Sequence, residues 1–244
     1  MSAITEDCIL AQDVYRSFNH KEVLHGIRLT VKKSEIFGLL GPSGSGKTTF
    51  VKMIAGIDEA TSGHVEVLGM RMPQLAMMPR IGYMAQSDAL YAELSALENL
   101  EFFGALFGLR GQKRVQRMRE VMALVDLTDH LKRPVGTYSG GMKRRLSLAV
   151  ALMHEPELLI LDEPTVGIDP VLRKSIWNEL EKLSREGTTI LVTTHVMDEA
   201  DKCHRLGMMR DGSLIAVGTP DALKAETDRR TIEEAFLYYG GVRA

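Results

Sequence analysis

The sequence has little cysteine, little tryptophan and no long hydrophobic run: two cysteines and one tryptophan among 244 residues. Cys8 and Cys203 match no metal or redox spacing, so we expect incidental or buried thiols. No segment approaches the ~18 uncharged apolar residues that a membrane-spanning helix needs. Glu6 and Asp7 stand where a signal peptide would have its apolar core. We therefore expect a cytoplasmic chain that reaches a membrane only through a partner.

Net charge and composition exclude further classes. The net charge is −2, so no overall basic charge indicates a nucleic-acid partner. No internal repeat or low-complexity linker is present. With 45% apolar and 25% charged residues, the composition is typical of a globular protein. The length suits one large α/β domain, with or without an inserted subdomain.

The most informative stretch reads Gly-Pro-Ser-Gly-Ser-Gly-Lys-Thr-Thr over residues 41–49. It follows an apolar, strand-like run at 36–40 and precedes a helix-like segment, which is the context that a P-loop requires. Backbone N–H groups of such a loop surround phosphate oxygens, and the new helix points its positive end at them. The pattern predicts that Lys47 reaches the β/γ-phosphates and that the Thr48 hydroxyl ligates Mg²⁺. The predicted phosphate-binding residues are Gly41, Ser43, Gly44, Ser45, Gly46, Lys47, Thr48 and Thr49.

Two aromatic residues upstream of the P-loop are candidates for stacking on an adenine base. Phe18 is followed by Asn19 and His20 and is predicted to be exposed near the nucleotide. Tyr15 is the other candidate. Packing into a core is the usual role of an aromatic side chain. We favour Phe18 and leave Tyr15 open.

Two carboxylates end a buried strand. Residues 158–161 are apolar throughout, as in a strand buried on both faces of a parallel sheet, and Asp162 and Glu163 follow them. Ligands bind at the carboxyl ends of such strands. We therefore predict that Asp162 holds Mg²⁺ and that Glu163 polarises the attacking water.

Two further polar residues end predicted strands. Gln86 follows a strand at 80–85 and is predicted to ligate Mg²⁺ or orient water. His195 follows a buried strand at 188–194, where an imidazole can sense or bind the γ-phosphate. Taken alone, Gln86 would more often be an ordinary polar surface residue, and a lone histidine such as His195 usually has a structural role.

Ser139, Gly140 and Gly141 open a helix at 143–153, with Ser139 as a good N-cap. Two glycines at a helix N-terminus make a second anion site, here without a P-loop lysine. As a bare pattern, Ser-Gly-Gly is common and mostly forms a turn.

The remaining stretches predict helices and a hairpin. Ser95 and Glu98 form a capping box, and an apolar stripe follows that could pack in a core or dock another protein. A second helix is expected at 113–125, a helix at 170–185, a helical segment at 198–204, a hairpin at 206–217 and a last helix from Thr219.

In this order the motifs resemble the ATP-binding subunit of an ABC transporter over roughly residues 5–220. They correspond to its Walker A (41–49), Q-loop (Gln86), signature (139–141), Walker B with catalytic glutamate (158–163), D-loop (166–169) and H-loop (His195). The signature, with Tyr138 and Met142 and then Lys-Arg-Arg, departs from Leu-Ser-Gly-Gly-Gln. The D-loop, Val-Gly-Ile-Asp, departs from Ser-Ala-Leu-Asp. The signature variant, together with Leu90-Tyr91, Glu98-Asn99-Leu100 and the tail Ile232-Glu-Glu-Ala-Phe-Leu, resembles the drug-, polysaccharide- and lipid-export branch with ABC-2-type membrane subunits.

The resemblance implies an α/β fold: a P-loop NTPase core with a mostly parallel sheet, an N-terminal antiparallel β subdomain and an inserted α-helical subdomain. The core would comprise 1–86 and 140–220, the helical subdomain 87–139 and a C-terminal tail 221–244. It implies ATP and Mg²⁺ as cofactors, with Glu163, His195 and Gln86 catalytic and Thr48, Gln86 and Asp162 at the metal. It implies a head-to-tail dimer with a second copy or a homologous ATPase subunit. Each ATP would lie between Walker A of one subunit and Ser139, Gly140 and Gly141 of the other, and the dimer would drive an integral membrane permease.

Two other classes remain. Soluble ABC ATPases of translation carry two such domains in one chain, and those of DNA repair insert a long coiled coil. This chain has one domain and no sustained heptads. A P-loop small-molecule kinase would not explain Ser139-Gly140-Gly141 or His195.

Overall fold

The structure, a computed structural model, describes residues 6–19 and 21–241. The strands in chain order are β1 (Asp7–Phe18), β2 (Lys21–Lys32), β3 (Ile36–Leu40), β4 (Ser62–Val67), β5 (Met70–Arg71), β6 (Ile81–Met84), β7 (Leu158–Asp162), β8 (Thr189–Thr194), β9 (Arg205–Arg210) and β10 (Ser213–Gly218). The helices are α1 (Lys47–Ile54), α2 (Ala96–Leu106), α3 (Gly111–Leu124), α4 (Gly140–Leu152), α5 (Pro170–Arg185), α6 (Met197–Ala200), α7 (Pro220–Glu226) and α8 (Ile232–Tyr239). Short 3₁₀ turns span Leu75–Arg80, Thr128–His130 and Val135–Thr137.

The first sheet is antiparallel, with strand order β2-β1-β4-β5. One face of β1 and β2 is buried, because apolar residues such as Ile9, Val14 and Leu29 alternate with exposed polar ones. That face packs with α1 and with one face of the second sheet in a single apolar cluster, which includes Phe37 and Phe50. The antiparallel sheet therefore lies against the P-loop helix.

The second sheet has strand order β10-β9-β3-β8-β7-β6, and β10 alone pairs antiparallel. Its central strands β3, β7 and β8 are buried along their whole length, as expected for a parallel sheet covered on both faces. In register, Leu40 lies opposite Thr194, and Asp162 lies opposite Thr193. The segments that leave β3, β7 and β8 therefore begin at one edge of the sheet.

The helical segment between β6 and β7 shares its core with the other face of the parallel sheet. Apolar side chains from α2, α3 and α4 join those of β7 and β8 in one cluster that includes Leu100, Met122 and Leu146. The capping box at Ser95 and Glu98 is present, as predicted. The stripe on α2 is only partly core, because Leu106 is 68% exposed whereas Leu100 is fully buried.

The predicted α/β class, with its antiparallel N-terminal sheet and inserted helices, is confirmed, and so is the hairpin at Asp211-Gly212. Two smaller predictions are wrong. The helix predicted at 198–204 ends at Ala200, because His204 exchanges hydrogen bonds with the backbone of Ile36 and turns the chain into β9. The helix after Thr219 is not the last, since α8 follows it with its own capping box at Thr231 and Glu234.

Two statements of the sequence analysis keep their standing as expectations. The subdomain boundaries at 86, 139 and 220 stay predictions, since the shared core crosses them. His20, named beside Phe18, lies outside the described residues. Within residues 6–19 and 21–241, no helix has the length and apolar character needed to cross a bilayer.

Candidate functional site

The P-loop connects β3 to α1, and its glycines meet two different demands. Gly44 and Gly46 have φ angles of 80° and 99°, in the left-handed region that favours glycine. At Gly41 the demand is space, since a Cβ there would lie 2.3 Å from the carbonyl oxygen of Met209 on β9. The loop is thus fixed by its own turns and by contact with the β9–β10 hairpin.

A cavity of 280 Å³ opens in front of this loop. Its walls bring together most of the residues predicted to hold phosphate and metal: Ser43, Gly44, Gly46, Lys47, Thr48, Thr49, Gln86 and Glu163, with Val23 added. Ser45 is 2% exposed and points its side chain away from solvent, so it belongs to the packing under the loop. The predicted convergence of the P-loop with Gln86 and Glu163 is therefore a feature of the fold.

Lys47 is the first residue of α1 and is 5% exposed. Its ammonium donates to the carbonyl oxygens of Gly41 at 2.7 Å and Pro42 at 3.0 Å. Burial lowers the pKa of Lys47, while the nearby carboxylates of Glu163 and Asp162 act in the opposite direction. A desolvated cation at a helix N-terminus beside a loop of N–H donors is suited to phosphate.

Asp162 is fully buried at the end of β7. Its Oδ1 accepts from the Thr193 hydroxyl, whereas its Oδ2 is buried with no donor in the part of the chain that the structure describes. A buried carboxylate oxygen without a donor fits a metal site. Mg²⁺ usually takes one or two protein carboxylates plus phosphate and water, and Thr48 and Gln86 line the adjacent cavity. Among the described residues, no group of three or more His, Cys, Asp or Glu side chains is arranged to hold a metal ion by itself.

Glu163 has a φ angle of 54°, an uncommon conformation for a residue with a side chain. Its N–H donates to the backbone oxygen of Thr193 at 3.1 Å and to the Thr193 hydroxyl at 3.0 Å. The Glu163 Oε1 lies 3.2 Å from His195 Nδ1, and the side chains are 13% and 46% exposed. The carboxylate thus reaches the cavity beside an accessible imidazole, an arrangement that can orient and deprotonate water.

The signature residues lie elsewhere. Ser139 caps α4 by accepting the Met142 N–H at 3.2 Å, and both Ser139 and Gly140 are exposed. None of Ser139, Gly140 and Gly141 lines the P-loop cavity. A Cβ on Gly141 would meet the Gly167 carbonyl at 3.1 Å, so the signature abuts the D-loop of its own chain.

The two candidates for adenine stacking both stand on β1 and neither lines the cavity. Phe18 is 43% exposed and carries the Arg16 guanidinium 4.3 Å from its ring centroid. Tyr15 is 39% exposed, and its hydroxyl fills the space that a side chain on Gly26 would need. The preference for Phe18 stays a prediction.

Thr193 is the functional residue that the sequence analysis missed at this site. It contacts the Asp162 carboxylate and the Glu163 N–H at once, and so aligns both acidic residues. The available signal was its position as the next-to-last residue of the buried strand β8, two residues before His195.

The comparisons with known proteins agree with this geometry. Residues 24–166 match the family described as ABC transporter. The chain is 42% identical over 242 residues to the probable multidrug ABC transporter ATP-binding protein YbhF of Escherichia coli (strain K12), covering 95% of this chain and 41% of that one. It is 41% identical over 238 residues to the linearmycin resistance ATP-binding protein LnrL of Bacillus subtilis (strain 168), covering 93% and 76%.

The solved structures that resemble this chain are ATP-binding subunits or cassettes. The structure of an ATP-binding subunit of an ABC transporter superposes with a TM-score of 0.89 at 24% identity, covering 96% of this chain and 99% of that one, and supports the fold. The dimeric post-hydrolysis state of the ATP-binding cassette MJ0796, bound to ADP and Pi, gives 0.80 at 27% identity, covering 86% and 98%.

The fold and the site define an ATP-binding P-loop ATPase cassette. The chain belongs to the ABC transporter family, whose model matches residues 24–166, more than half of the chain. The predicted family and enzyme class are confirmed. The chain spans 41% of the length of YbhF, so the activity of the whole protein is taken up as a proposal below.

Proposed function

We propose that the protein is the ATP-hydrolysing motor subunit of an ABC membrane exporter, working as a head-to-tail dimer. The observation that carries this proposal is the separation of two anion sites. The P-loop cavity holds Lys47 and Glu163, whereas the exposed helix N-terminus at Ser139 lies outside it. A second copy of the chain supplies a γ-phosphate for that helix to bind.

In this proposal, the polar residues at and next to the cavity divide the tasks of hydrolysis. The P-loop N–H groups and Lys47 bind the β- and γ-phosphates. Glu163 accepts a proton from the attacking water, and His195, beside it, contacts the γ-phosphate. Thr48, Gln86 and Asp162 would hold Mg²⁺, which neutralises phosphate charge when bound.

The shared site can be tested by mixing two inactive variants. Lys47→Ala removes the P-loop cation, and Ser139→Arg blocks the signature. A mixed dimer of the two rebuilds one intact site, so we expect ATPase activity to return on mixing. Each variant alone at the same total concentration is the control. Absence of activity, when affinity-tagged pull-down proves that mixed dimers form, would contradict the proposal.

An aromatic cluster that begins five residues after Gln86 in the sequence is our candidate for permease docking. Tyr91, Phe102 and Phe103 stack edge-on or tilted, with centroids 5.0 to 6.2 Å apart, and Tyr91 and Phe102 are 46% and 44% exposed. Exposed aromatic side chains that pack against each other are typical of protein interfaces. The segment that follows Gln86 leads directly to Tyr91 in this cluster. A partner that docks on the cluster would therefore be linked through a short stretch of chain to the cavity that Gln86 lines.

The docking proposal is tested by reconstituting this chain in liposomes with a permease encoded in a neighbouring reading frame. Phe102→Asp should abolish stimulation of ATPase activity by the membrane protein and spare basal activity. Tyr238→Asp, on an aromatic side chain of α8 that is 54% exposed, is the matched control. Equal stimulation of both variants would place the interface elsewhere. In this proposal the protein works at the cytoplasmic face of the membrane through its permease.

The alternative of a soluble ABC ATPase in translation or DNA repair is disfavoured. The inserted segment folds into two short helices, of 11 and 14 residues, that share the main core, rather than into a long coiled coil. The relatives are named for multidrug transport, linearmycin resistance and Nod factor export.

A further inference from the structure

One buried cation in this region has no part in phosphate binding. Arg144 lies in the second turn of α4, five residues after Ser139, and is 6% exposed. Its Nη1 donates to the carbonyl oxygens of Ala85 at 2.6 Å and Gln86 at 3.0 Å. Its Nη2 donates to the carbonyl oxygens of Asp162 and of Glu163, the latter at 2.7 Å.

These contacts use the two terminal nitrogens fully. Each nitrogen carries two N–H groups, and the four accepting carbonyls take one each. The planar guanidinium therefore fixes the backbone at Gln86 and the backbone at Glu163 relative to one another. A lysine ammonium is a single point with three donors and cannot hold two pairs of carbonyls at the two ends of a plane.

The contact between Arg144 and the Glu163 carbonyl lies at a residue with an unfavourable backbone conformation. Glu163 holds its left-handed conformation between two anchors, with its N–H on Thr193 and its C=O on Arg144. A conformation of this kind persists only when its surroundings enforce it. Without Arg144 the Glu163 carbonyl keeps only the longer bond from the Val166 N–H at 3.4 Å. We therefore expect the carboxylate to lose its fixed direction into the cavity.

We propose that Arg144 is a positioning residue for ATP hydrolysis, which ties the signature helix to Gln86 and Glu163. Arg144 does not itself line the cavity, and it contacts the cavity-lining residues Gln86 and Glu163 only through their backbone carbonyls. Because Ser139 and Arg144 stand on the same helix, movement of the signature on a partner's nucleotide displaces the hydrolytic residues of its own subunit. The inference rests on the ATP hydrolysis proposed above.

The matched control is the next residue. Arg145 also donates to two backbone carbonyls, of Val125 at 3.0 Å and Asp126 at 2.9 Å, but these lie at the end of α3 and away from the site. Arg144→Lys and Arg145→Lys keep charge and most of the volume, so both variants should fold. Displacement of a catalytic group by about 1 Å can cost ~10²-fold in rate.

We expect Arg144→Lys to lower kcat for ATP between about 10-fold and ~10²-fold, with KM and ATP affinity within about twofold of wild type. Arg145→Lys should change kcat less than about twofold. The same substitution in a Glu163→Gln background should cost nothing further, because residues that act as a unit are not additive. An equal loss in both backgrounds, or equal losses at Arg144 and Arg145, would overturn the positioning role.

Chemical rescue separates positioning from general stability. Arg144→Ala leaves a buried space of guanidinium shape, so guanidinium ion at low millimolar concentration should restore part of kcat and methylammonium should not. Rescue by both ions or by neither, in a variant whose thermal unfolding shows it is folded, would refute the inference. If wild-type protein itself hydrolyses no ATP, the proposed function fails instead, and the two failures are thus distinct.

Discussion

Replacing Glu163 with glutamine tests the chemistry of the site without disturbing its shape. Its backbone is held by Thr193 and Arg144, and neither contact uses the carboxylate. The amide oxygen of glutamine can still accept from His195, which lies 3.2 Å from Oε1. The fold and nucleotide affinity should therefore persist, and only the ability to take a proton is lost.

Loss of a general base costs about 10²–10⁴-fold in rate, or roughly 3–5 kcal/mol at about 1.4 kcal/mol per factor of ten. We expect kcat for phosphate release at saturating Mg-ATP to fall by this amount, with the affinity for a fluorescent ATP analogue unchanged. Glu181→Gln, on an exposed carboxylate of α5 paired with Arg185, is the control and should match wild type. Turnover by Glu163→Gln within about twofold of wild type would refute the assignment of the base.

Three more variants extend the test. Lys47→Ala should weaken nucleotide binding itself, because the buried cation that contacts the phosphates is missing. Unchanged affinity in a fluorescence titration would mean that the phosphates bind at another place. His195→Ala should spare ADP and ATP affinity and lower turnover, whereas a parallel loss of ADP affinity would make the imidazole structural. Burial lowers the pKa of His154 in the folded protein below its ordinary 6.5. The unfolded chain therefore takes up the proton first, and the stability that His154 contributes is present above about pH 6.5 and is lost as the pH falls below it. His154→Gln should flatten this acid-side decline in Tm, and an unaltered Tm profile would exclude His154 as its source.

Much of the site could be predicted because its signals are local in the sequence. The P-loop, the caps at Ser95 and Ser139, and the acidic pair after β7 each occupy a few consecutive residues with one physical explanation. His195 and Gln86 were predicted because strand ends in a parallel sheet meet at one edge.

The features that were missed depend on contacts between distant segments. The Arg144 guanidinium binds the backbone carbonyls of Gln86 and Ala85, which lie 58 and 59 residues earlier in the sequence. No pattern within α4 predicts these contacts. The predicted helix at 198–204 stops early because His204 bonds to Ile36, 168 residues away. Leu106 is 68% exposed whereas Leu100 on the same helix is buried, a difference that helical periodicity alone does not specify.

The central claim is that ATP joins two copies of this chain through Ser139. The attraction of a helix N-terminus for an anion is worth only about 1 kcal/mol, or about 2 kcal/mol when partly buried, so dimers without nucleotide should be weak. Light scattering during size exclusion of Glu163→Gln measures this directly. We predict a monomer without nucleotide and with ADP, a dimer with ATP, and loss of that dimer in Glu163→Gln combined with Ser139→Arg. A monomer at saturating ATP and high protein concentration, or a dimer that survives Ser139→Arg, would contradict the claim.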